Sequence, residues 1–187
     1  MKRMWFWILV VLLSMDGITG WWWWRGRREH RYDREIIVAA RRYGIEAALI
    51  KAVIWRESGF KSDVRGSAGE LGLMQIRPAA AQEWAQSERI RNFSFEHLQH
   101  PQSNILAGTW YLRKLMSRYR GVDNPVPYAL ADYNAGRSNS LRWNSGAAAT
   151  NSARFIAQIG FPKTKLYVES VLRRQEHYRS QAGLKPD

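Results

Sequence analysis

The stretch Ile45–Gln75, IEAALIKAVIWRESGFKSDVRGSAGELGLMQ, decides how the rest of the chain is read. As a helix beginning near Glu46, it sets Ile50, Val53, Ile54 and Glu57 on one face, because residues three, four and seven apart share a side. An apolar stripe therefore ends in a carboxylate. Gly59 suits a left-handed C-cap, which leaves Glu57 in the last helical turn. Burial in an apolar wall and the negative end of the helix dipole both disfavour the ionised carboxylate. A carboxyl group with a raised pKa is what general-acid chemistry near neutral pH needs. A lone Glu is ordinarily a solvated residue at a frayed helix end, so the assignment of Glu57 as an acid depends on its surroundings.

Those surroundings are three ordered motifs. Glu57-Ser58-Gly59-Phe60 is followed by Gly72-Leu73-Met74-Gln75 and then by Ala131-Asp132-Tyr133-Asn134-Ala135-Gly136. Together they resemble the signature of the soluble-lytic-transglycosylase (SLT) type domain, over roughly Tyr43 to Val171. The resemblance implies a lysozyme-like fold and cleavage of peptidoglycan glycan strands. Asn104, Gly108 and Tyr111-Leu112 match the helix that the family places beneath its cleft, and Phe161-Pro162 through Tyr167-Val168 match the segment that closes it. Two departures stand out. Asp132 replaces the usual alanine, and Lys163-Thr164 stands where the family usually has a glutamate followed by threonine.

The chain of 187 residues suffices for one domain with a substantial core and a terminal appendage. It contains no cysteine, which excludes disulfides, thiolate metal sites, a catalytic cysteine and lipoprotein acylation. The net charge of +13 favours a polyanionic neighbour, whether nucleic acid, anionic lipid or a cell wall rich in carboxylates and phosphates. The basic residues are scattered and no nucleic-acid module is recognisable, which counts against nucleic acid as the partner.

Residues 1–28 read as a signal-anchor. Lys2 and Arg3 precede an apolar run, Asp16 interrupts it, and Trp21 to Trp24 suit the membrane–water interface, with Arg25, Arg27 and Arg28 beyond. Met4 to Trp24 is about the length of a membrane span, and no small-x-small cleavage site follows cleanly. The basic residues after this segment favour a cytoplasmic C-terminal side by the positive-inside rule. The substrate implied by the resemblance lies outside the membrane, and the expected location follows the substrate. It is the bacterial cell envelope, anchored in the inner membrane with the catalytic domain in the periplasm, or secreted if the segment is cleaved.

Residues 33–180 read as a single all-α domain, α-dominated α+β at most, with 181–187 as a tail. Asp33 is expected to cap a helix over Glu35 to Tyr43. Lys61 to Leu71 reads as a loop with at most a small irregular hairpin. Pro78, Pro101, Pro125 and Pro162 each open a helix. Gly136 to Ala147 reads as a loop with one turn around Leu141, and a further helix is expected over Ser152 to Ile159.

Glycine permits close approach of backbone to a ligand, and Gln75 offers a donor and an acceptor to a sugar. Met74, Gln75, Ser58, Tyr133, Asn134 and Tyr167 are the candidate substrate-binding residues around catalytic Glu57. Of these, the tyrosine of the third motif lies beside the acid in the resembled family. The four histidines show no metal spacing, so neither a metal nor a cofactor is expected. Most glycosidases use two carboxylates. Asp63, Glu70 and Asp132 are the candidates for a second one, and none lies in a convincing motif. The resemblance implies one acid and formation of a 1,6-anhydro-muramoyl product. A goose-type lysozyme hydrolase and a non-catalytic wall-binding module are the alternatives on the same scaffold.

Overall fold

The computed structural model describes residues 27–181. The chain divides into two compact units, Met1–Tyr32 and Asp33–Asp187. Of the first, residues 27–30 are helical, and the expected membrane span lies outside the described residues. Among the described residues no helix is long and apolar enough to cross a membrane.

The second unit is built from helices: α1 (Asp33–Tyr43), α2 (Ala47–Ser58), α3 (Pro78–Ser87), α4 (Pro101–Met116), α5 (Pro125–Ala135), α6 (Arg137–Trp143), α7 (Ser152–Gln158) and α8 (Pro162–Arg179). Short 3-10 turns join them at Phe95–Gln99, Ser117–Tyr119 and Gly146–Ala149. Proline fills the first turn of α3, α4, α5 and α8, where its missing N–H costs no helical hydrogen bond.

At the centre lies α2. Its first eight residues, Ala47 to Ile54, are all buried, so it is enclosed on every side and not merely on one stripe. Leu49, Ile50, Val53 and Ile54 are at most 1% exposed, each contributing roughly 1.5–3 kcal/mol of apolar burial. The longest helix, α8, packs along α2, while α1 covers α2 and α4, and α5 bridges α4 and α8. Gly59 closes α2 at φ 57° and ψ 37°, its N–H bonded to the Trp55 carbonyl, so the helix ends one residue beyond the glutamate.

Lys51 is fully buried inside this apolar centre, with its Nζ 2.6 Å from Asp33 Oδ1 and 5.1 Å from the Tyr178 ring centroid. A buried ammonium needs such partners. Asp33 sits within the first turn of α1, two residues earlier than the expected helix start, and its carboxylate receives Lys51.

The loop after α2 carries isolated antiparallel bridges, Arg65 with Leu71 and Leu71 with Ile76, the small irregular hairpin the sequence allows. The region from Gly136 departs from expectation. Arg137–Trp143 forms two turns of helix where a loop with one turn was expected, with Ser140 and Trp143 buried. Burial of the Trp143 indole outweighs the modest helix propensity of the Ser and Asn residues around it.

Candidate functional site

The loop and the ends of α2, α3 and α5 enclose a cleft of about 310 Å³. Glu57, Glu70, Gln75, Tyr111, Tyr133 and Asn134 line it, with Arg77, Glu83 and Asp132 further round the wall. A second cavity of about 340 Å³ lies between α1, the start of α2 and the end of α8; it contains none of the predicted site residues.

Glu57 is half-buried, and the Tyr167 hydroxyl of α8 donates to its Oε1 at 2.6 Å. Loss of solvent pushes the carboxyl pKa up, from an ordinary 4.5 to about 7, and the like charge of Glu70 adds to the rise. The Tyr167 hydrogen bond and the Arg56 guanidinium pull the other way and are outweighed. Tyr167 is itself buried, and desolvation beside Glu57 holds its phenol protonated, well above the ordinary tyrosine range.

The other acidic residues on the cleft wall are differently placed. Glu70 is bonded to Arg77 at 3.1 Å and to the Ala68 N–H at 3.0 Å. Desolvation raises Glu70, but its backbone donors and Arg77 together outweigh that, and its pKa is lowered. Glu83 is paired with Lys114. Buried Asp132 accepts from Arg118 at 2.8 Å and from the Tyr119 hydroxyl at 3.3 Å, with Arg137 at 4.0 Å. Of the four acidic side chains lining the cleft, three are therefore held by cations and Glu57 by a neutral phenol.

The Gly72–Gln75 segment is fixed from behind by Asn104 of α4. Its Oδ1 accepts the Met74 N–H at 2.8 Å, while its Nδ2 donates to the carbonyls of Leu71 and Leu98 at 2.8 and 3.0 Å. A side chain at Gly72 would collide with this amide, and the φ of +78° is one that favours glycine. Met74 is fully buried against Gly108, and its carbonyl accepts the Tyr133 hydroxyl at 2.6 Å. Tyr133 packs at 5.5 Å on the ring of Tyr111, and desolvation near Glu57 keeps its phenol protonated.

The predicted residues thus fall into two groups. Glu57, Gln75, Tyr133 and Asn134 line the cleft together, and Tyr167 reaches Glu57 from α8. Gln75 uses its Nε2 to hold the carbonyls of Val64 and Gly72, at 3.0 and 2.9 Å. Exposed Asn134 accepts from Thr164 of α8 at 2.9 Å, which joins the closing helix to the cleft rim. Met74 acts through its backbone, and the buried Ser58 hydroxyl returns to the Ile54 carbonyl at 3.2 Å. Lys163 is exposed at the start of α8. Ile76, Arg77 and Ala80, which the motifs do not flag, also form cleft wall; Pro78, opening a helix three residues after Gln75, is the sequence signal that carries them there. Among the described residues no cluster of His, Asp or Glu could hold a metal ion.

Three comparisons bear on this arrangement. The family model described as the transglycosylase SLT domain matches residues 34–156. The soluble lytic murein transglycosylase of Escherichia coli is 32% identical over 137 residues, 72% of this chain and 21% of that protein. The membrane-bound lytic murein transglycosylase C of Salmonella arizonae is 36% identical over 126 residues, 62% of this chain and 34% of that protein. The chain therefore spans about a fifth to a third of the length of these relatives. Among solved structures, an inactive glutamate-to-glutamine mutant of the lytic transglycosylase Slt of Pseudomonas aeruginosa matches with a TM-score of 0.75 at 28% identity, covering 84% of this chain and 25% of that one. The 70 kDa soluble lytic transglycosylase of Escherichia coli matches with a TM-score of 0.70 at 28% identity, covering 79% and 24%.

Proposed function

The chain belongs to the transglycosylase SLT domain family, with its all-α lysozyme-like fold, and from that premise we propose that it cleaves peptidoglycan glycan strands with Glu57 as the single acid and base. The observation that carries this reading is the isolation of Glu57. It is the acidic group on the cleft wall with a pKa raised to about 7, while its neighbours there are tied in ion pairs.

Tyr167 donates to Oε1, so the transferable proton of the neutral acid resides on Oε2. From there it passes to the glycosidic oxygen between N-acetylmuramic acid and N-acetylglucosamine. The muramoyl acetamido group assists departure of the leaving sugar. Glu57, now a carboxylate, takes the proton of the C6 hydroxyl, whose oxygen closes onto C1 to give the 1,6-anhydro ring. No water is consumed. Tyr133, its own proton committed to the Met74 carbonyl, presents oxygen lone pairs toward developing positive charge on the sugar. Gln75 and Asn134 supply polar contacts along the strand.

The N-terminal segment is proposed as a membrane anchor that holds this domain in the cell envelope on the side of its substrate. Mass spectrometry of peptidoglycan digested by the full chain, with Glu57→Gln alongside, tests the reaction. Anhydro-muramoyl products from the wild type alone support it. Reducing-end products that gained water would replace it with a lysozyme hydrolase, and binding without products would leave a wall-binding module.

A further inference from the structure

Three cation–aromatic contacts run along the seam between α2 and α8. Lys51 lies 5.1 Å from the Tyr178 ring, Arg174 4.3 Å from the Trp55 ring, and Arg56 5.5 Å from the Tyr167 ring. The last differs from the others because the Tyr167 hydroxyl, on the same ring, is hydrogen-bonded to Glu57. Arg56 precedes Glu57 in sequence, and adjacent helical residues point about 100° apart. No ion pair joins the two. Arg56 is exposed, and among the described residues its side chain makes neither a hydrogen bond nor an ion pair, so the ring of Tyr167 is its structural partner.

Resting on the acid role given to Glu57 above, we propose that Arg56 is a positioning residue. Its guanidinium holds the Tyr167 ring in place, and through the Tyr167 hydroxyl it fixes which oxygen of Glu57 carries the transferable proton. A cation within about 6 Å of an aromatic face attracts it. It also polarises the phenol, which strengthens the hydroxyl as a donor to Oε1. The groups facing Glu57 are Arg56 on its own helix, Glu70 from the loop, Tyr133 from α5 and Tyr167 from α8. Burial and Glu70 favour the neutral acid; Tyr167 and Arg56 oppose it.

The test is direct titration of the Glu57 carboxyl in the full chain carrying carbon-13 at its glutamate side chains, with the signal assigned by its loss in Glu57→Gln. Arg56→Gln is expected to raise the Glu57 midpoint by roughly half a pH unit, and Arg56→Lys to restore most of that shift. In a Tyr167→Phe background, where the ring remains and the hydroxyl is gone, the same Arg56→Gln change is expected to move the midpoint clearly less, leaving only the direct effect of the Arg56 charge. An equal shift in both backgrounds would make Arg56 a bare charge acting through space and overturn the proposal, as would no shift in either. On glycan strands, Arg56→Gln is expected to lower kcat about fivefold with KM unchanged, the pattern of lost transition-state positioning. The titration needs no substrate, so it stands or falls apart from the assignment of the reaction, which the product masses decide.

Discussion

Tyr167 Oη donates to Glu57 Oε1 at 2.6 Å across 110 residues of sequence. One oxygen of the carboxyl is thereby occupied by a donor that remains protonated, and the other is left to exchange its proton with a ligand. A carboxyl buried without this hydrogen bond would be still harder to ionise but free to rotate. The contact therefore supplies orientation, while burial supplies the protonation state.

The pH dependence follows from that protonation state. Burial pushes the Glu57 carboxyl up to about 7, and in the proposed reaction its neutral form is the acid. The rate constant kcat/KM on glycan strands is expected to hold at mildly acidic pH and to fall tenfold per unit well above 7. Turbidity loss of purified peptidoglycan across pH 5 to 9 measures it. A profile flat through pH 8.5 would exclude Glu57 as the acid.

The same group sets a pH dependence of stability. Its folded pKa lies above the ordinary 4.5, so the folded state holds the proton more tightly than the unfolded chain. The favourable contribution is complete below 4.5 and is lost as pH rises to about 7. Glu57→Gln removes the buried charge and retains an acceptor for Tyr167. After discounting for solvent screening of a half-buried group, the variant is expected to exceed the wild type by about 1 kcal/mol at pH 8. Melting curves should coincide near pH 4 and separate above neutrality. A less stable variant at pH 8 would show that the carboxylate is well solvated.

Glu57→Gln is expected to reduce product formation by about 10²–10⁴-fold, the usual scale of a lost general acid. Tyr133→Phe is expected to cost less, because its hydroxyl is spent on the Met74 carbonyl. The loss of that bond should also lower stability by about 1 kcal/mol. Parallel assays and urea unfolding compare the two. An activity loss as large as that of Glu57→Gln would place Tyr133 in the proton transfer.

Asn104→Ala removes the partner of three buried backbone groups, those of Met74, Leu71 and Leu98. Each unsatisfied group costs about 1–3 kcal/mol, and partial relaxation brings the expected sum to roughly 3–4 kcal/mol. Denaturant unfolding reads this directly. A change below 1 kcal/mol would mean that the loop closes onto other partners.

The central helix, its glycine cap and the proline helix starts were legible in the sequence because each rests on local chemistry. The grouping of Glu57, Gln75, Tyr133 and Asn134 was legible from ordered motifs. What escaped depends on distant partners. Lys51 reads as a solvent residue until Asp33, 18 positions earlier, is placed beside it. Ser58 and Met74 carry motif positions, yet one bonds its own helix and the other serves through its carbonyl. The helix Arg137–Trp143 has weak propensity and owes its form to a buried tryptophan. Arg56 offers no periodic signal, because its contact is with a ring in α8.

The reach of that last helix has a consequence for synthesis. While the nascent chain leaves the ribosome, α2 emerges early, with α1 beside it but without the α8 face that completes its burial or the phenol that orients its carboxyl. Both arrive with α8, after Pro162. Without α8 the Glu57 carboxyl loses the Tyr167 donor and a part of the burial that raises its pKa. The protonation state on which the proposed reaction depends is thus a property of the whole domain, set by its last helix.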